Sequence, residues 1–516
     1  MQKIQPSLTR QNIFCAEIPA PPNAMVVFGA SGDLTQRKLL ASIFQTCKRG
    51  LIGEQFYLLG CGRRQLSDQQ FRQIAKEAIQ KASTNNSTDE LRSFVDRLYY
   101  ISGDYSDSLF YGNIKTRLAE LDKKHKVDGP HIFYLAVPPL LYGAIAEQLS
   151  SAGLSCAARP DSKQQARLIV EKPFGRDLHS AVELNKVIHR CFDESQIYRI
   201  DHYLGKETVQ NILMFRFANT IFEPVWNRNY IDSIQITIAE AIGVEHRASY
   251  YDQTGALRDM FQNHMLGMLS LVAMEPPASF EAESVRDEKV KLLQSIQPFT
   301  DETILRDIVR GQYTTGMIEG KKVVGYRDEP EVNPQSKTET FVAAKIFIDN
   351  LRWKGIPFYL RTGKRLACKD TEIVITFKEV PHSMFAAAGL DDMPPNTLVL
   401  QIQPEEGISL SFQAKRPGSK ICMSTLNMNF SYREIFGTGP PEAYQRLLLD
   451  CMIGDQMLFA RQDDVEVAWR LLTPVLRTWG NNQSVLHEYA AGAESFPAAD
   501  ALIESDGRAW RKLGTV

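Results

Sequence analysis

Residues 25 to 62 restrict the fold more than any other stretch. Met25-Val26-Val27-Phe28 is a short apolar run halted by Gly29-Ala30-Ser31-Gly32-Asp33, after which Leu39, Leu40, Ile43, Phe44 and Cys47 recur at helical spacing until Gly50. A second apolar run, Phe56-Tyr57-Leu58-Leu59, ends at Gly60-Cys61-Gly62-Arg63-Arg64. Strand, glycine turn, helix and strand at this length make the β-α-β unit of a nucleotide-binding half. A helix N-terminus offers backbone N–H groups and a positive dipole end to a pyrophosphate, and glycine permits close approach. The spacing is G-x-x-G-x-x-T (Gly29, Gly32, Thr35), which a purely structural turn would also satisfy. NAD proteins place a ribose-binding acid after the second strand, whereas Arg63 and Arg64 suit a 2′-phosphate and hence NADP; two solvated arginines are the alternative.

The apolar runs His131 to Val137 and Leu168-Ile169-Val170 extend the parallel sheet, and each meets a proline break, Pro138-Pro139 in one case and Glu171-Lys172-Pro173-Phe174-Gly175 in the other. Ligands of open α/β sheets bind beyond the strand C-termini, which makes Lys172 a candidate, although a lysine there is also commonly solvated. Asp177 suits the N-cap of a helix whose stripe is Leu184, Val187, Ile188, Cys191 and Phe192. That helix delivers the chain to Arg199-Ile200-Asp201-His202-Tyr203-Leu204-Gly205-Lys206-Glu207. Read as helix, this segment sets His202 and Lys206 at i and i+4, where two cations hold a phosphate dianion, and leaves Asp201 to orient a histidine from another segment. A solvated helix face carries the same pattern.

Beyond residue 220 the periodicity changes to two. Ile234-Ile236-Ile238, Leu398-Leu400-Ile402, Ile408-Leu410-Phe412 and Leu426-Met428-Phe430 alternate, as in a large antiparallel sheet with one buried face. Helices expected near 252–275, 442–457 and 464–476 would cover it. In the first, His264 lies within the stripe Leu257, Met260, Phe261, Met268, Leu271 and Val272, either as a core histidine bonded to a carbonyl or as a base partnered by a carboxylate such as Asp201. With 516 residues we expect three segments: an arm over 1–23, a Rossmann-like α/β parallel-sheet domain over 24–200, and an α+β domain with a large, mostly antiparallel sheet over 201–516. Lys+Arg 59 against Asp+Glu 61 argues against nucleic-acid or membrane surfaces. The eight cysteines include no C-x-x-C pair, so no metal site is suggested, and a reducing cytoplasm fits. No apolar run reaches spanning length, and the N-terminus lacks a signal-peptide core.

Four motifs together closely resemble the glucose-6-phosphate dehydrogenase family: Gly29-Ala30-Ser31-Gly32-Asp33-Leu34, Glu171 through Leu178, Arg199 through Glu207, and Arg258-Asp259-Met260-Phe261-Gln262-Asn263-His264. The likeness spans nearly the whole chain, including Ala443-Tyr444 through Trp469-Arg470 and Asp506 through Trp510. It implies oxidation of glucose 6-phosphate at C1 with hydride passed to NADP, His264 acting as general base and Asp201 stabilising its imidazolium. By the same resemblance His202, Tyr203 and Lys206 match the sugar-phosphate clamp, and Glu240 and Asp259 the hydroxyl contacts. Lys172, Lys364, Lys369 and Gln403 match further substrate contacts. Gly29 to Leu34, Arg63, Tyr105, Tyr142 and Lys172 match the cofactor side.

The resemblance also implies a cis Lys172-Pro173 bond and a homodimer or homotetramer associating through the second sheet, while a departure from it, the loss of most of the basic charge at a second site, leads us to expect one NADP per subunit. Animal relatives hold a second NADP with basic side chains, and the matching positions here are Asp370, Val374, Gln401 and Ser411, with Arg361 remaining. Thr35 stands for the usual alanine and is expected to crowd the turn slightly; Lys369 stands where arginine is common. The E-K-P element is also similar to the glucose–fructose oxidoreductase group, which uses unphosphorylated sugars, and the His202/Lys206 pair argues against that group. A non-catalytic NADP sensor would be expected to lack His264 or Asp201.

Overall fold

A computed structural model of the chain describes residues 17–82, 87–155, 166–386, 393–418, 422–436 and 441–515. Residues 1–16 of the expected arm lie outside it. From Ala20 the arm is paired: its N–H donates to Leu51 O at 2.8 Å in a bridge with Ile52, and Asn23 opens the first strand. The chain forms two compact units, one of residues 1–205, 279–286 and 441–466, the other of 206–278, 287–440 and 467–516.

The first unit is built on six parallel strands: β1 (Asn23–Phe28), β2 (Phe56–Gly62), β3 (Leu98–Ser102), β4 (His131–Leu135), β5 (Arg167–Val170) and β6 (Ile197–Arg199). Their order is β3-β2-β1-β4-β5-β6, so the winding reverses between β1 and β4 and opens a crevice beyond the strand C-termini. Every residue of β1 and β2 is buried, as a sheet covered on both faces requires. On one face Met25, Val27, Leu58 and Ile132 pack with Leu40, Ile43 and Phe44 of the helix Leu40–Lys48. The helix Ala443–Ile453, expected as cover for the second sheet, instead adds Leu447, Leu448, Cys451 and Met452 to this core. Asp177 caps the helix Leu178–His189, accepting from Ser180 N at 2.8 Å.

The second unit carries β7 (Ile231–Ala239), β8 (Ile308–Thr314), the hairpin β9 (Gly316–Ile318) and β10 (Lys321–Val323), β11 (Phe341–Ile346), β12 (Phe358–Gly363), β13 (Asp370–Phe377), β14 (Thr397–Gln403), β15 (Gly407–Lys415), β16 (Met423–Ser431) and β17 (Leu486–Ala490). Its nine-stranded sheet runs β16-β15-β14-β13-β7-β12-β11-β8-β17. It is antiparallel except at β7/β12 and β8/β17. The expected pattern of one buried face gives way to a gradient across the sheet. β7 and β12 are buried on both faces almost throughout, whereas the apolar Leu426 and Met428 of β16 are 48% and 57% exposed.

The expected helix over 252–275 is three segments, Ala248–Ala256, a π-helix Leu257–Met265 and Leu266–Ala273. Gly255, at φ 70° and ψ 170°, breaks the first from the second. Asp259 through Met265 are all buried, so His264 sits in an element enclosed all round rather than on one apolar stripe. The chain's last residues form a strap on the sheet. Arg508 pairs with Asp232 at 2.6 Å, Trp510 stacks on the Arg361 guanidinium at 4.7 Å, Arg511 pairs with Glu372 at 3.1 Å, and Gly514 N donates to Asp370 at 2.7 Å.

Candidate active site

In the first unit the glycine turn closes tightly on β4. Gly29 has φ +83°, and a Cβ there would lie 2.1 Å from Ala136 O, so only glycine fits. Its N–H is shared between Cys61 O and the Tyr105 hydroxyl, both at 2.9 Å, and Gly32 N returns to Gly29 O at 2.9 Å. Thr35 does not crowd the turn as expected: it is buried, and its hydroxyl donates to Gly29 O at 3.1 Å, bracing the loop from inside. Helical backbone begins at Asp33, and the first N–H groups of a helix have no intrahelical partner. Arg63 and Arg64 are exposed immediately beyond β2, where Tyr100 anchors the loop by donating to Arg64 O at 2.9 Å.

The loop after β5 is held by three phenols. Tyr142 donates to Glu171 O at 3.0 Å, Tyr444 donates to Glu171 Oε1 at 2.9 Å, and Tyr134 bonds the same oxygen. Tyr105 and Tyr142, expected to line a dinucleotide, thus also brace the two loops between which one would lie. Burial pushes the Glu171 carboxyl above the usual carboxylate range, against the opposing pull of Tyr134, Tyr444 and Lys172. Sequence reasoning missed Glu171, because its phenol partners lie 37 positions before and 273 after it. The Lys172-Pro173 bond is cis, as expected.

Asp201 lies directly after β6. Ile200 N still pairs with Val170 O at 3.0 Å; then Asp201, 1% exposed, accepts from Tyr203 N through its carboxylate at 2.9 Å and from Leu204 N through its carbonyl at 3.1 Å. This side-chain turn corrects the helical reading of 199–207: an aspartate that caps its own succeeding backbone competes with helix. Helix begins only at Glu207, with Lys206 as an extended N-cap, so His202 and Lys206 do not share a helical face. The His202 and Tyr203 rings meet edge to face, centroids 4.9 Å apart. On the preceding strand Arg199 pairs with Glu194 at 2.6 Å and bonds Asn185 at 3.1 Å. Burial alone would raise the Glu194 carboxyl, but His189, Arg199 and Arg286 outweigh it and hold it down to about 2.

In the second unit, four of the sequence-derived candidates line one edge of the sheet. Gly363 of β12 pairs with Ala239 of β7, Ala239 pairs with Asp370 of β13, and Thr371 pairs with Gln403 of β14. Lys364, Glu240, Lys369 and Gln403 therefore stand at the ends of four successive strands, about 4.8 Å apart per strand. Lys364 and Glu240 form an ion pair at 2.8 Å, and the Lys364 ammonium lies 5.1 Å from the Tyr251 ring centroid. Lys369 is exposed. The π-helix bearing Asp259 and His264 packs on β11 and β12, and His264 is fully buried.

Two family models cover the chain: "Glucose-6-phosphate dehydrogenase, NAD binding domain" matches residues 26–211 and "Glucose-6-phosphate dehydrogenase, C-terminal domain" matches residues 213–511. Proteins named glucose-6-phosphate 1-dehydrogenase are 45% identical over 497 residues in Chlamydia pneumoniae (96% of each chain) and 42% identical over 490 residues in Bacillus subtilis (95% of this chain, 98% of that one). Solved structures are similar as well, two of them over nearly the whole chain. One is a glucose-6-phosphate dehydrogenase in complex with its substrate glucose-6-phosphate, with TM-score 0.87 and 35% identity, covering 96% of this chain and 100% of that one. The other is a glucose-6-phosphate 1-dehydrogenase from Mycobacterium avium, with TM-score 0.81 and 34% identity, covering 95% and 98%.

Proposed function

The chain belongs to the glucose-6-phosphate dehydrogenase family, and we propose that it oxidises glucose 6-phosphate at C1 to 6-phosphogluconolactone with NADP as hydride acceptor, the first oxidative step of the pentose phosphate pathway. The observation that carries this reading is the likeness, over 96% of the chain, to a structure holding glucose 6-phosphate.

The residues present suit a dinucleotide. Gly29 lets the turn close on β4 where any Cβ would strike Ala136 O, helical N–H groups begin at Asp33, and Arg63 stands where a 2′-phosphate would be met. Gly29, Ala30, Ser31, Gly32, Asp33 and Leu34 would hold the pyrophosphate, Arg63 the 2′-phosphate, and Tyr105, Tyr142 and Lys172 the remainder. The bound cofactor supplies the acceptor for the hydride leaving C1. The chain's own task is then to take the hydroxyl proton, and His264 is the base. Its burial keeps competing water away, and Asp201 supplies the carboxylate that stabilises the imidazolium as it forms.

His202, Tyr203 and Lys206 bind the sugar phosphate, so the substrate is fixed at the end remote from C1 and its binding energy orients the reacting carbon. Glu240 and Asp259 accept from sugar hydroxyls, and Lys364, Lys369 and Gln403 complete the edge. The enzyme acts in the cytoplasm, without nucleic-acid or membrane partners. It is a homodimer, or a dimer of dimers, formed through β16, whose exposed Leu426 and Met428 support an interface. A steady-state assay pairing glucose 6-phosphate or glucose with NADP or NAD tests the reading. Turnover should require the phosphate and favour NADP; equal use of free glucose would overturn it.

A further inference from the structure

We propose that Glu339 is a positioning residue for this reaction, because it fixes where the helix carrying Asp259 and His264 begins. The inference rests on the reading of His264 as the base.

At Gly255 the preceding helix ends in a conformation open to glycine alone, φ 70° and ψ 170°, so the π-helix does not inherit its register from that helix. The next two amides are both taken by one residue: Ala256 N donates to Glu339 O and Leu257 N to Glu339 Oε1, each at 3.0 Å. These are N–H groups that a helix start otherwise leaves without a partner, and a carboxylate there also opposes the positive end of the helix dipole. The fit is close, since a Cβ on Gly255 would lie 2.3 Å from Glu339 Oε1.

Glu339 is itself anchored on two sides. Gln312 of β8 donates to Thr338 O at 2.8 Å, Thr340 N donates to Gly311 O at 2.8 Å, and the Thr338 hydroxyl donates to Asp252 O at 2.6 Å. Glu339 is 5% exposed. Burial raises its pKa, opposed by the Leu257 amide, its own amide, Arg258 and Arg310. Asp259 and His264 lie within the next two turns, and a slip of one residue would carry His264 on the order of 1 Å along the helix axis and turn it toward another face. Misplacements near 1 Å can cost on the order of 10² in rate.

The test compares Glu339→Ala, Glu339→Gln and Glu339→Asp in the full-length enzyme by kcat, KM for glucose 6-phosphate, NADP Kd and melting temperature. We expect Glu339→Ala to lower kcat about tenfold or more while NADP Kd is unchanged, and Glu339→Gln, whose amide oxygen still accepts from Leu257, to recover most of it. Gly255→Ala should also lower kcat, because a Cβ there would displace the Glu339 carboxylate as well as strain the backbone. Wild-type kcat and KM in Glu339→Ala, with only a lower melting temperature, would reduce Glu339 to a structural residue and overturn the inference. Should Glu339→Ala not fold, Glu339→Asp carries the test: reduced kcat at intact NADP binding supports the inference, and wild-type kcat overturns it. His264→Asn separates the two readings. If it is slow while Glu339→Ala is normal, positioning alone fails; if it turns over as wild type, the base assignment fails.

Discussion

His264→Asn should leave sugar-phosphate binding nearly intact and lower kcat by on the order of 10²–10⁴, the usual worth of a positioned general base. Asp201→Asn should cost less, because it disturbs the imidazole without deleting it. Wild-type turnover of His264→Asn in a stopped-flow or steady-state assay would remove the assignment. Lys206→Ala should raise KM for glucose 6-phosphate with little change in NADP affinity, by loss of a charge-assisted contact worth roughly 1.5–3 kcal/mol; the reverse pattern would refute its role at the phosphate. Asp201 and Lys206 stood out because their chemistry is local: an acid, an imidazole, a phenol and a lysine lie within six positions from Asp201 to Lys206. Glu171 and Glu339 did not. Each works through partners from distant segments, which the sequence around it does not show.

At the scale of elements, strand alternation and the glycine turn were enough to anticipate both sheets, since a two-residue period has one main structural cause. What stayed hidden was long-range or conformational. The sheet edge shared by Glu240, Lys364, Lys369 and Gln403 depends on register between four strands, and the break at Gly255 depends on a backbone angle. The helical reading of 199–207 failed because an aspartate's own side-chain turn outcompeted helical periodicity.

The C-terminal strap offers a test of its own through Glu372. It is fully buried, and burial, seconded by the charge of Asp370, lifts its carboxyl to about 7 despite Arg511 and Arg361. A folded-state pKa above the unfolded one means the native state binds the proton more tightly. That contribution is therefore complete below the unfolded pKa and lost as pH rises through about 7. Melting temperature should fall relative to Glu372→Gln across that window; parallel profiles would show that Glu372 does not titrate there.

For the whole molecule, two features escape any local reading: residues 279–286 and 441–466 join the compact unit of the first sheet, and the chain's last residues strap the second. The strap bears on stoichiometry. At the positions matched to a second NADP site in animal relatives, Asp370 already accepts from Gln401 at 2.7 Å and from Gly514, while Arg361 is engaged by Thr237, the Arg511 carbonyl and Trp510. One NADP per subunit is expected by calorimetry, weakened far more than NAD by Arg63→Ala. A second site insensitive to Arg63→Ala would contradict it. Light scattering should give at least a dimer, through β16.

In the proposed reaction hydride leaves C1 of glucose 6-phosphate for the nicotinamide. Turnover of glucose 6-phosphate deuterated at C1, with mass spectrometry of the reduced cofactor, tests it without intermediaries. One deuterium on the reduced NADP is expected, with a lactone, or the acid from its hydrolysis, as carbon product. Reduced cofactor carrying no deuterium, or none formed at all, would contradict it.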